Sequence, residues 1–152
     1  MLPRSSTGTG SQPGIRLPAT ALEALRGWAA EGYPHEACGL LIGEPGREGA
    51  EAEVIRAVRA RNRNAERARD RYDLDPIDQL AAEKAARAEG LEVVGIWHSH
   101  PDHPARPSET DREAAWEGWS YVIIAVGSAG PAEVRSWRLD PDKTFVEEEI
   151  RS

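Results

Sequence analysis

The chain has 152 residues, 39% hydrophobic and 30% charged, with a formal net charge of −7. That length and balance suit one folded domain with its own core and argue against wholesale disorder. The acidic balance disfavours a dedicated nucleic-acid binder, no window approaches ~18 consecutive apolar residues, and the single cysteine, Cys38, cannot form an internal disulfide. The first residues carry Arg4 but no apolar stretch of signal-peptide length, so a cytoplasmic location is expected.

Residues 1–14 are rich in Ser, Thr, Gly and Pro and read as a disordered tail ahead of a domain spanning 15–152. A first helix is predicted over 18–31. Pro18 suits its first turn, Leu22, Leu25 and Ala29 follow helical spacing, and Gly32 supplies a stop. The glycine-bounded apolar run 38–43 reads as a buried strand, and 53–58 as a second. Between Arg56 and Arg71, seven arginines stand against Glu66 and Asp70, a local balance of +5 that leaves −12 for the rest. Charge runs are ordinarily solvated, so a loop is the first reading here and a docking surface for an acidic partner the second. A short strand over 71–74 ends before Pro76.

A second helix is predicted over 76–89, closed by Gly90, with Ile77, Leu80, Ala81, Lys84 and Ala85 tracing its inner face. Residues 91–97 read as a central strand leading straight into His98. Residues 99–107 form a Pro-rich loop, and a third helix opens at Ser108 and runs to residue 118. Strands over 121–126, 132–139 and 145–150 close the chain, separated by turns at 127–131 and 140–143. There are no internal repeats, and the order of elements is mixed. The expected fold is therefore α/β or α+β, a mixed sheet flanked by helices.

The chemistry concentrates in His98-Ser-His-Pro-Asp-His-Pro-Ala-Arg-Pro-Ser-Glu-Thr-Asp111. Side chains alternate along an extended segment, so His98 and His100 can project to one side and supply half of a tetrahedral zinc site. A carboxylate eleven residues after His100, at a helix start, can fold back as a third ligand. Three protein ligands leave one position open for water, the layout of a catalytic zinc. Each residue also has a purely structural reading. Ser108-x-x-Asp111 is a capping-box pattern, His98 reads equally as a satisfied core histidine, and His100-Pro101 as a turn.

The string resembles the signature of the JAMM/MPN metalloprotease family: His-x-His-Pro, then Ser-x-x-Asp with the serine eight positions after the second histidine. His98, His100, Ser108 and Asp111 match at that spacing. The family also requires a glutamate just before a glycine-containing apolar strand, and Glu36 stands there in Pro34-His-Glu-Ala-Cys-Gly-Leu-Leu-Ile-Gly43. The resemblance covers 18–149 and points to the compact bacterial branch. It implies one zinc ion held by His98, His100 and Asp111, Glu36 as general base, and Ser108 as an oxyanion donor. It further implies hydrolysis of the amide after the C-terminal Gly-Gly of a ubiquitin-like sulfur-carrier protein, releasing cysteine or a short peptide. No nucleic-acid or membrane partner is expected.

Two other readings of the same signature are an inactive MPN-type scaffold and a DNA-associated relative. The first usually lacks one of the five residues, and the second sits poorly with the acidic charge. A zinc nucleobase deaminase would need an H-x-E…P-C-x-x-C pattern, which is absent. His103 is a weaker ligand candidate, Cys38 reads as a small core residue, and His35 as an orienting or solvent-facing neighbour of Glu36. Trp97 and Trp116 are candidate cleft walls, and Trp28, Trp119 and Trp137 are packing residues.

Overall fold

The structure is a computed structural model that describes residues 14–46, 51–64 and 72–152. The expected tail, apart from Gly14, and the arginines at 67, 69 and 71 lie outside the described residues. In chain order the elements are β1 (Ile15–Arg16), α1 (Ala19–Gly32), β2 (Cys38–Glu44), β3 (Ala52–Ala60), α2 (Pro76–Ala88) and β4 (Glu92–Pro101). There follow α3 (Glu109–Ala114), β5 (Ser120–Gly127), β6 (Gly130–Leu139), β7 (Phe145–Glu148) and β8 (Ile150–Arg151). The eight strands form one mixed sheet in the order β7-β6-β5-β4-β2-β3-β1-β8. Among the described residues, only β4–β5, β1–β3 and β1–β8 pair in parallel. The two ends of that order, β7 and β8, are separated in sequence by Glu149 alone, so the sheet must curl until its margins come together.

Both faces of the sheet are covered. On one, Ala21, Leu25 and Ala29 of α1 pack with Leu41, Val94, Trp97, Val122 and Ile124. On the other, Ala86 of α2 meets Leu40, Ile42, Ile96 and Tyr121. Burial on both sides explains why β2 and β5 read as unbroken apolar runs. Trp97 stacks on Trp28 with ring centroids 5.5 Å apart, and its indole N–H reaches across Gly39 to the carbonyl of Val58 at 2.9 Å. A Cβ on Gly39 would overlap both the Val58 carbonyl and the Trp97 ring, so that crossing requires glycine.

Several expectations need correction. The inner face of α2 is not the one its larger residues trace: Ile77 is 72% and Leu80 55% exposed, and Ala81, Lys84 and Ala85 also face solvent. The helix rests on its small residues Ala82 and Ala86 instead. Its rotation is fixed at the start, where Asp75 caps the Ile77 N–H and donates its own N–H to the Arg61 carbonyl. β4 runs on through Ser99 and His100 to Pro101, because β5 continues to pair with it as far as Val126, so the loop begins only at Asp102. α3 stops at Ala114, well short of residue 118, where Ala115 turns to extended geometry and the Trp116 N–H bonds the Tyr121 hydroxyl. Of the strand expected over 71–74, the described part shows one bridge, Leu74 to Asn62. Trp97 lies in the core and Trp116 is 69% exposed; neither lines a cavity at the site. The arginine stretch is partly strand: Arg56 and Arg59 sit on β3 and pair with Glu89 and Glu31, while Arg61 pairs with Asp75 and Asp78.

Candidate metal centre and active site

Alternation along β4 assigns the residues of His98-Ser99-His100 to opposite faces. Trp97 and Ser99 point toward the α1 layer, and His98 and His100 toward the α2 and α3 side. β2 lies antiparallel to β4 with Cys38 opposite His98. The ladder continues one step further, where the Ser99 N–H donates to the Ala37 carbonyl at 2.9 Å. Extending that register brings Glu36 opposite His100, on the same face as both histidines. Glu36 is buried and lines one cleft together with His100 and Ser108.

Asp111 arrives from the first turn of α3. Ser108 caps that helix through a reciprocal pair: its Oγ accepts the Asp111 N–H at 3.0 Å, and Asp111 Oδ2 accepts the Ser108 N–H at 2.8 Å. The capping pattern is thus present, and the same bonds aim Oδ2 at the histidines. Asp111 Oδ2 lies 3.1 Å from His100 Nε2 and 3.4 Å from His98 Nε2, and the two Nε2 atoms are 3.2 Å apart. A tetrahedral zinc with bonds of about 2.0–2.1 Å needs its ligand atoms about 3.3–3.4 Å from one another. The donor set, two imidazoles and a carboxylate, and its spacing both fit that ion.

The electrostatics agree. Burial pushes His98 below the ordinary imidazole value, which keeps it neutral despite the nearby Asp111. Burial also opposes charge on His100, but its bonds to Asp111 and to the Pro104 carbonyl outweigh that and raise its pKa. Burial opposes the charge on Asp111 as well, yet the two imidazoles and the Ser108 N–H hold its carboxyl far below the usual range. A carboxylate facing two imidazole nitrogens in a buried site calls for one positive charge among them, a proton or a metal ion. His100 Nδ1 sits 2.9 Å from the Pro104 carbonyl, which only accepts, so Nδ1 carries the hydrogen and Nε2 faces the shared centre. His98 Nδ1 has no hydrogen-bond partner among the described residues, and the ring is oriented by stacking on Tyr72 at a centroid distance of 4.5 Å.

Residues that motif spacing did not mark complete the site. The Ser99 hydroxyl accepts the Ala37 N–H at 2.8 Å, and Asn62 donates to the Glu36 carbonyl at 3.1 Å. Tyr33 donates to both oxygens of Asp102 at 2.9 and 3.1 Å, tying the segment before Glu36 to the loop after His100. His103 is exposed on the cleft wall, outside the His98–His100–Asp111 cluster. His35 is exposed beside Glu36, and Cys38 is buried with its thiol directed at the carbonyls of Ala60 and Arg61.

Residues 18–140 match the family described as prokaryotic homologs of the JAB domain. The chain belongs to that family. Among JAB-family relatives it is 34% identical over 116 residues to a desampylase of Haloferax volcanii, covering 73% of this chain and 80% of that protein. It is 32% identical over 133 residues to the CysO-cysteine peptidase of Mycobacterium tuberculosis, covering 87% and 86%. The solution structure of protein DSY2949 from Desulfitobacterium hafniense superposes with a TM-score of 0.76 at 35% identity, covering 90% of each chain. This JAB domain therefore shares its fold with a relative solved by experiment.

Proposed function

We propose that this JAB-family chain is a zinc-dependent peptidase that hydrolyses the amide bond after the C-terminal Gly-Gly of a ubiquitin-like sulfur-carrier protein, releasing cysteine or a short peptide. The observation that carries the reading is the convergence of three ligand atoms, 3.1–3.4 Å apart, beside a cleft shared by Glu36 and Ser108. The names of the relatives support it, since one is a desampylase and another a peptidase acting on CysO-cysteine. A cytoplasmic site of action fits the free thiol of Cys38.

Zinc held by His98, His100 and Asp111 would supply Lewis acidity, bringing water at the open position to a pKa of about 7 and polarising the scissile carbonyl. The chain's own groups do the rest. Glu36 takes the proton from the attacking water and returns it to the departing amine. The Ser108 hydroxyl accepts the Asp111 N–H, so its own hydrogen is left to donate to the developing oxyanion. A groove of about 870 Å³, lined by residues that include Glu31, Glu36, Arg59, Asn62, Asp78 and Ala81, leads to this point. It borders β3, whose outer edge beyond Glu53 pairs with no strand among the described residues. Free backbone groups along an edge suit an extended tail.

The test is mass spectrometry of a carrier ending in Gly-Gly-Cys, incubated with enzyme plus zinc or enzyme plus chelator. Cleavage with zinc alone, falling about 10²–10⁴-fold in Glu36→Gln, is expected. Equal rates with zinc and with chelator would overturn the reading.

A further inference from the structure

Two cavities meet at Glu36. The smaller, of about 270 Å³, is lined by Glu36, His100, His103, Pro104, Arg106 and Ser108. It falls below the roughly 300–1,000 Å³ that holds drug-sized ligands, so it takes about one residue, whereas the groove along β3 takes a length of chain. An amide cleaved where the two meet leaves its acyl half in the groove and its amine half in the small cleft. The lining of that cleft therefore describes the leaving group.

That lining carries an uncommitted cation. The neighbouring arginines are engaged: Arg112 pairs with Glu109, Arg135 with Glu133 and Glu147, and Arg138 with Glu148. Arg106 has no carboxylate within ion-pair distance among the described residues. Glu133 feels its charge, but the Glu133 oxygens are taken by the Ala105 N–H at 3.2 Å and Arg135 Nε at 3.1 Å. The peptide group that precedes Arg106 is held at both its ends. The Arg106 N–H bonds the Pro104 carbonyl at 2.8 Å, and the Trp137 indole bonds the carbonyl of the buried Ala105 at 3.1 Å. Arg106 also lines the adjoining cavity beyond Ser108, so this exposed residue stands where the two cavities adjoin. A planar cation carried on the wall of the cleft that would hold the leaving amine matches a carboxylate on that same residue.

We propose that Arg106 is a specificity-determining residue that binds the α-carboxylate of the leaving group, so that this chain releases a residue with a free carboxylate in preference to the side-chain amine of a lysine in a folded protein. His103 is a second donor in the same cleft. The inference rests on the peptidase reading given above.

Three substrates on one carrier test it: Gly-Gly joined to an amino acid with a free carboxylate, the same compound as its carboxamide, and Gly-Gly joined to a lysine side chain in a peptide. Values of kcat and KM are measured for wild type, Arg106→Ala, Arg106→Lys and Arg106→Glu, with zinc content and circular dichroism checked for each. Wild type should prefer the acid to the amide by about tenfold in kcat/KM, chiefly through KM. Arg106→Ala and Arg106→Glu should collapse that preference, and Arg106→Lys should keep part of it. Equal cleavage of acid and amide by wild type, or an undiminished preference in Arg106→Ala, overturns the inference alone. Cleavage of none of the three by wild type overturns the peptidase reading and this inference with it.

Discussion

Ser99 and Ala37 exchange two hydrogen bonds at the edge of the site: the Ser99 N–H donates to the Ala37 carbonyl at 2.9 Å, and the Ala37 N–H donates to Ser99 Oγ at 2.8 Å. The residue between the two candidate metal ligands therefore clamps the residue that follows Glu36. Both partners are buried, so Ser99→Ala leaves an N–H unsatisfied at a cost of about 1–3 kcal/mol. Because the loosened segment carries Glu36, we expect kcat on the carrier conjugate to fall, by up to roughly 5- to 140-fold if the whole cost reaches the transition state at about 1.4 kcal/mol per tenfold. Zinc content should stay at the wild-type level. Metal analysis alongside kinetics checks this, and loss of zinc in step with activity would show Ser99 acting through the histidines instead.

Asp111 faces two imidazole nitrogens and a helix-capping N–H with a single oxygen. Asp111→Asn keeps the size of that side chain and an acceptor for the Ser108 N–H while removing the charge. We expect the variant to copurify with little zinc, against about one ion per chain for wild type. Ligand binding to the folded state stabilises it by about 2.7 kcal/mol at a hundredfold excess over Kd. At roughly 2–4 °C per kcal/mol for a chain of this size, zinc should raise the wild-type Tm by about 5–10 °C and leave the variant unmoved. An equal rise in both would place the metal elsewhere.

How far the sequence reveals this arrangement depends on the range of the forces involved. The fold class, α1, β2 and the central strands follow from local periodicity, and His98, His100 and Asp111 follow from spacing joined to a known signature. The rotation of α2 does not follow, because its stripe of Ile77, Leu80, Ala81 and Ala85 is as regular as the narrower one of Ala82 and Ala86. A cap at Asp75, tied to Arg61 at the end of β3, decides between them. β1 is two residues long, too short for any periodic signal, and exists by pairing with β3 and β8. Ser99 escapes notice for a similar reason, since its partner is 62 positions away. The α2 finding is directly testable. Leu80→Gln should change stability by no more than about 0.5 kcal/mol, as surface substitutions do. Ala86→Leu overfills a fully buried position and should cost about 1–3 kcal/mol in urea denaturation. The reverse ranking would mean the helix presents its larger residues inward.

Cys38 lies opposite His98 across the β2–β4 ladder, yet its chemistry is that of a packed core residue. Burial, with added repulsion from Glu36, Asp73 and Asp78, pushes its thiol up to about 12. At pH 8 only about one molecule in 10⁴ then carries the reactive thiolate, so iodoacetamide should label the native protein far more slowly than the urea-unfolded chain. The same shift sets a pH dependence. A folded pKa above the ordinary thiol value of 9.0 means that the native state holds the proton longer. Its stabilising contribution is therefore complete below pH ~9 and is lost as pH rises toward 12, at up to about 1.4 kcal/mol per pH unit. Other groups titrate in that range, so the measurement is the difference between wild type and Cys38→Ala. Wild type should lose stability more steeply than the variant from pH 9 upward, and parallel curves would mean that the thiol ionises as readily in the folded protein as in the unfolded one.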